Sequence, residues 1–167
     1  GKWLHGELDV AVARAAIQSL VDRHEILRTV YPAQGGQPYQ KILSQCALPW
    51  RSEIAGGDGD DARRADALRI AREEVVRPFA LASDPPIRAV LIRISEDLHL
   101  LTIVFHHIAI DGWSISTMER EFVAAYKRLR EGGALDSDAP ELQIADVALW
   151  QQQTFGGEGL QQQLDFW

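Results

Sequence analysis

Residues 87–94 (IRAVLIRI) and 98–105 (LHLLTIVF) are both strand-length and rich in Ile, Leu and Val, and only Ser95-Glu96-Asp97 separates them. Three polar residues leave room for little except a direct chain reversal, so the two runs predict adjacent antiparallel strands. The second run feeds straight into HHIAIDG at 106–112, with two adjacent histidines followed by an aspartate and a glycine.

Helical spacing dominates three other stretches. From Asp9, whose side chain suits an N-cap, Val12, Ala13, Ala16, Ile17, Leu20, Val21, His24 and Leu27 predict a helix of about five turns with one buried stripe. A second helix is expected over 61–76, with Ala65, Leu68, the Arg72 stem and Val75 facing inward, then Phe79, and Pro78 ending it. A third is expected over 113–130, with Ile115, Met118, Phe122, Ala125, Tyr126 and Leu129 inward and Gly132-Gly133 stopping it. Its start is open among Asp111, Ser114 and a capping box of Ser116 with Glu119.

Shorter signals fill the gaps. Residues 3–5 read as a strand, 29–31 and 39–43 as a hairpin around the Gly35-Gly36 turn, 48–54 as an extended piece, and GGDGDD at 56–61 as a solvated loop. Residues 133–140 read as a linker, and 142–167 as helix broken near Gly156-Gly157. Strands and helices interleave without the regular alternation of a doubly wound sheet. The expected class is therefore α/β (α+β), a mixed sheet with helices mainly on one face.

Charge and cysteine content narrow the partners. The 167 residues carry 24 acidic and 17 basic side chains, net -7, with no basic stripe to neutralise phosphates, so nucleic acid is not expected. Cys46 is the single cysteine, which rules out an intrachain disulfide or a cysteine-built zinc site and fits a reducing, cytoplasmic setting with a buried thiol. No apolar run approaches the roughly 20 residues of a membrane helix, and no leader is read at the start. The first residues read as the interior of a longer chain.

Within HHIAIDG, strand alternation places His107 on the side of Leu101, Ile103 and Phe105, and His106 on the side of Thr102 and Val104. The two rings cannot converge on one ion, so no metal is expected. One histidine of the pair is read as structural. His107, at the lip of a strand–loop–helix junction that Gly112 lets the backbone turn, has the profile of a general base. Asp111 suits a helix cap or a partner for a distant arginine, Arg28 being the candidate, and Ser114 is not in the setting of a catalytic nucleophile.

HHIAIDGWS resembles the HHxxxDG hallmark of condensation domains of non-ribosomal peptide synthetases. GELDVAVARAAIQSLVDRHEILRTVY is similar to the helix and RHExLRT motif of that family, RPFALASDPPIRAVLIRIS to the segment before the histidines, and LQIADVALWQQQ to its DYAxW motif with Val147 in the tyrosine's place. The resemblance implies a chloramphenicol acetyltransferase-like two-layer sandwich. Residues 1–167 would be the N-terminal lobe, incomplete at its start and without the C-terminal lobe.

The implied activity is amide formation between a donor acyl or peptidyl thioester and an acceptor aminoacyl thioester. Both would be carried on phosphopantetheine arms of upstream and downstream carrier proteins, with no cofactor bound by this lobe and adjacent synthetase domains as further partners. The implied roles are His107 as base or positioner of the amine, His106 as structural, Asp111 in an ion pair with Arg28, and Gly112 as an oxyanion N–H donor. Trp113 and Ser114 support the loop. Continuation as DGWSIST, without the DGxSWR of epimerisation relatives, points to peptide-bond formation. The alternatives are another HxxxD acyltransferase acting on coenzyme A or carrier-bound thioesters, and a non-catalytic carrier-protein-binding module. The isolated lobe is expected to be inactive.

Overall fold

A computed structural model describes residues 1–135, 139–155 and 158–167. The predicted strand pair forms its centre. Strand β7 (Ile87–Arg93) and strand β8 (Leu98–Phe105) are antiparallel, with Leu91 opposite Leu101 and Ile87 opposite Phe105. Strand β1 (Lys2–His5) adds antiparallel to the outer edge of β8, and β6 (Trp50–Ile54) adds parallel to β7, giving a mixed sheet in the order β1-β8-β7-β6.

Both faces of the sheet are covered. On one face, Ala89, Leu91 and Leu101 pack against Ile17, Leu20 and Val21 of helix α1 (Val10–Arg23), with Met118 and Phe122 of helix α3 (Gly112–Arg130) closing over them. On the other, Val90, Ile92 and Leu100 pack against Ala67, Ile70 and Ala71 of helix α2 (Asp60–Val76). The mixed sheet is as expected. Of the helices packed on the sheet, α1 and α3 share one face and α2 forms a layer of its own on the other.

Helix α1 begins as read, the Asp9 carboxylate accepting from the Val12 N–H at 3.0 Å. It ends earlier than five turns. Its 14 residues stop at Arg23, because His24 takes an extended backbone (φ -101, ψ 104) and residues Glu25–Arg28 form a separate 3-10 turn. This break throws the His24 side chain sideways toward α3.

The inner face of α2 differs from the expected one. Ala65, Leu68 and Val75 face solvent, and Ala67, Ile70, Ala71 and Glu74 are inside. Glu74, 1% exposed, is the reason: three arginines hold it, so the helix turns a charged residue inward that an apolarity pattern assigns outward.

The hairpin at 29–43 forms as two short ladders, β2 (Thr29–Val30) with β5 (Lys41–Ile42) and β3 (Ala33–Gln34) with β4 (Gln37–Pro38). Gly35 and Gly36 turn it at φ 59 and 81, a conformation open to glycine. Helix α3 stops at Gly132 (φ 75), whose N–H reaches the Leu129 carbonyl. Helices α4 (Ile144–Phe155) and α5 (Glu158–Phe166) follow, and the expected break at Gly156-Gly157 lies outside the described residues, as does part of the linker, 136–138. Cys46 is half-buried, and burial and the nearby Asp22 carboxylate push its thiol up, against the Arg28 charge. Among the described residues no helix is long and apolar enough to cross a membrane.

Candidate functional site

Strand β8 ends at Phe105, and the chain turns through residues 106–109. The His106 N–H donates to the Pro86 carbonyl at 3.0 Å, extending the β7–β8 ladder by one rung, and the Ala109 N–H returns to the His106 carbonyl at 3.0 Å. The alternation that assigned the histidines to opposite sides survives the end of the strand. The His106 ring lies on the α2 side, edge-on to Phe79 with centroids 5.8 Å apart. Its Nδ1 accepts the Ile108 N–H at 3.1 Å, which requires that nitrogen to be unprotonated and leaves the ring proton on Nε2. His106 thus commits its Nδ1 lone pair within the turn.

His107 is exposed on the opposite side and lines a cleft of about 560 Å³. Leu27 and His24 form one wall of the cleft, Thr117 and Met118 of α3 another, and Leu142, Gln143 and Ile144 a third, with Trp113 at the mouth. Its ring makes no hydrogen bond or ion pair with any described residue. An imidazole in that position, in contact with water and facing a largely aliphatic cleft, can accept a proton from or hydrogen-bond to a molecule that enters.

Asp111 caps α3. One carboxylate oxygen accepts both the Ser114 N–H at 2.9 Å and the Ser114 hydroxyl at 2.6 Å, and these bonds, the hydroxyl's foremost, hold the carboxyl below its usual range. Of the three candidate starts for α3, Asp111 is the one used. Ser114 serves this cap, and Trp113 next to it is 88% exposed.

Two expectations need correction. The Arg28–Asp111 ion pair does not form: Arg28 donates to the Leu43 carbonyl at 2.7 Å and contacts Glu25 at 3.3 Å, because the 3-10 turn that carries it directs its guanidinium to the 29–43 hairpin. Gly112 is not needed for an unusual backbone. It lies in the first turn of α3 without positive φ, and a Cβ there would meet nothing within 4 Å. Its N–H still belongs to the helix N-terminus, where backbone donors point outward and favour negative charge.

Two residues of the site, His24 and Gln143, escaped sequence reading. His24, counted above as part of an apolar stripe, puts Nε2 2.6 Å from Glu121 Oε2 on α3 while lining the same cleft as His107. Gln143 joins the segment before α4 to the end of α1. Its amide donates to the Arg23 carbonyl and accepts from the Glu25 N–H, each at 3.1 Å. The signal was present in the run RHEILRT, where a histidine breaks an aliphatic stripe.

Comparison with known proteins places this geometry in a family. The condensation-domain family model matches residues 3–167. A linear gramicidin synthase of Brevibacillus parabrevis is 36% identical over 167 residues, covering 98% of this chain and 2% of that protein. Phosphinothricin tripeptide synthetase PhsC of Streptomyces viridochromogenes is 39% identical over 156 residues, 92% of this chain and 14% of that one. Among solved structures, the X-domain from teicoplanin biosynthesis superposes with a TM-score of 0.81 at 34% identity, covering 93% of this chain and 33% of its own. The chain thus spans about a third of that structure and a small part of the synthetases it matches.

Proposed function

The chain belongs to the condensation-domain family, and we propose that it is the N-terminal lobe of an amide-forming domain in a non-ribosomal peptide synthetase. The observation that carries this reading is His107: exposed just past the end of β8, uncommitted to any described residue, and facing a cleft walled by His24 and the 3-10 turn after α1, by α3, and by residues 142–144.

The acceptor substrate is an aminoacyl group and the donor an acyl or peptidyl group, each a thioester on the phosphopantetheine arm of a carrier protein. The acceptor amine attacks the donor carbonyl, a C–N bond forms, the C–S bond breaks, and the thiol leaves with the proton that the amine loses. His107 accepts that proton or holds the amine for attack. The contribution is about 10²- to 10⁴-fold for a base, and positioning can supply as much or more. The Gly112 N–H at the start of α3 faces the charge that develops on the carbonyl oxygen. His106 and Asp111 keep the turn and the helix start in place. No enzyme nucleophile takes part. The test is amide formation between loaded carrier proteins, read by mass spectrometry on a complete domain containing this lobe; the isolated lobe is expected to give no product. Turnover by the lobe alone would refute the assignment to half of a divided site.

A second reading, a protein-binding module without catalysis, is supported by a solved complex with OxyB of the teicoplanin X-domain, the X-domain being 33% identical to this chain with a TM-score of 0.83. A complete domain that binds loaded carriers yet forms no amide would favour it.

A further inference from the structure

The buried ion cluster behind the sheet reaches the histidine turn through a single aromatic ring. Arg88, on β7 and 3% exposed, serves the C-terminal end of α2. It donates to the Glu74 carbonyl at 2.9 Å and to the carbonyls of Arg77 and Pro78. The carbonyls of Glu74 and Arg77 are acceptors that the helix end leaves open, and that of Pro78 follows the cap. Its Nε lies 2.7 Å from Glu74 Oε1 in an ion-pair contact not aligned as a hydrogen bond. Its guanidinium carbon stands 3.7 Å from the centre of the Phe79 ring. The other end of the arrangement is His106, perpendicular to Phe79 at 88°, with Nδ1 fixed by the Ile108 N–H.

We propose that Phe79, held by Arg88, is a positioning residue for the reacting histidine: it fixes the plane of the His106 ring, and thereby the turn that presents His107 to the cleft. The physical reason lies in what else restrains that ring. Apart from Nδ1, no hydrogen bond to a described residue holds it, so its χ angles depend on the edge-to-face contact. Phe79 is itself only half-buried, and Arg88, immobilised by three carbonyls and Glu74, makes it rigid. A turn adjacent in sequence to His107 transmits any loss directly, and small displacements at a reacting group cost about 10²-fold in rate.

The test is imidazole ¹⁵N NMR of this chain and two variants, with amide exchange at Ile108. Phe79→Leu keeps apolar volume at a half-buried position and removes the ring; Phe79→Tyr keeps the ring. The wild type is expected to show His106 as the Nε2–H form with a protected Ile108 amide. Phe79→Leu should mix the tautomers and lower that protection by tenfold or more, while amides of β7 and β8 stay protected. Phe79→Tyr should restore the wild-type signals. Unchanged His106 and Ile108 signals in Phe79→Leu would overturn the proposal, as would equal loss in both variants. The kinetic consequence rests on the function proposed above: in a complete domain, kcat should fall 10- to 100-fold with KM unchanged. An altered spectrum with unchanged kcat would refute positioning. A wild-type domain that forms no amide would refute the proposed function, leaving the spectrum to decide the anchor.

Discussion

Replacing Glu74 by alanine removes the carboxylate in ion-pair contact with Arg88. Arg51 and Arg77, the other two partners, have half-exposed side chains and can return to water, so their pairing contributes little. Arg88 cannot, being 3% exposed and held by carbonyls at the end of α2. Breaking a buried pair by removing one partner costs about 3–5 kcal/mol. That is a large fraction of the roughly 5–15 kcal/mol that holds a domain together. At about 2–4 °C per kcal/mol for a chain of this size, the melting temperature should fall by about 6–20 °C. Burial works to raise the Glu74 pKa, but Arg77, through its hydrogen bond and charge, and Arg88 outweigh it and hold the carboxyl below 4.5. A lowered folded value means that the stabilisation is complete above the unfolded value and is lost as pH falls through the folded one. The gap between wild type and Glu74→Ala should therefore be widest near neutral pH and narrow below about pH 4.5. Thermal unfolding across that range reads both quantities. A loss below about 2 °C at pH 7, or a gap that grows in acid, would refute the account of α2 as a helix anchored by a buried charge.

Arg28→Ala and Asp111→Ala should be additive within about 0.5 kcal/mol in a double-mutant unfolding cycle, since the two side chains have separate partners; a larger coupling would restore the ion pair. Gln143→Ala removes two hydrogen bonds that tie the segment before α4 to the end of α1, and should raise amide exchange across 142–146 while leaving β7 and β8 protected. His99 is buried at 4% exposure, and burial, reinforced by Arg93 against Asp97, lowers its pKa below 6.5. The unfolded chain therefore binds the extra proton first, and stability should fall as pH drops below about 6.5; His99→Leu should flatten that slope in urea titrations.

The sheet was legible because its signal is local and redundant. Ser95-Glu96-Asp97 between two apolar runs admits one pairing, and period-two alternation then carries the assignment of sides to His106 and His107. The Asp9 cap was legible for the same reason: one side chain and one N–H three residues away decide it. The inner face of α2 was not, because Glu74 is held inside by Arg88 of β7, with Arg77 and Arg51 of β6 as further partners, and no pattern within 61–76 announces them. The Arg28–Asp111 pair failed for a related cause. Opposite charges in two motifs state a possibility, but the backbone break at His24 decides where Arg28 points. The role of His24 was hidden by its place in an aliphatic stripe, and that of Gln143 by a sequence separation of 120 residues from the carbonyl it grips.

We propose that His107, alone of the pair, meets the reacting groups. The most direct measurement is single-turnover amide formation between loaded donor and acceptor carrier proteins by a complete domain carrying this lobe, as wild type, His107→Ala and His106→Ala. His107→Ala is expected to lose about 10²- to 10⁴-fold in rate with unchanged unfolding temperature. His106→Ala is expected to show a smaller rate loss accompanied by a measurable fall in stability. Amide formation at the wild-type rate by His107→Ala, with His106→Ala inactive and fully folded, would contradict the proposal.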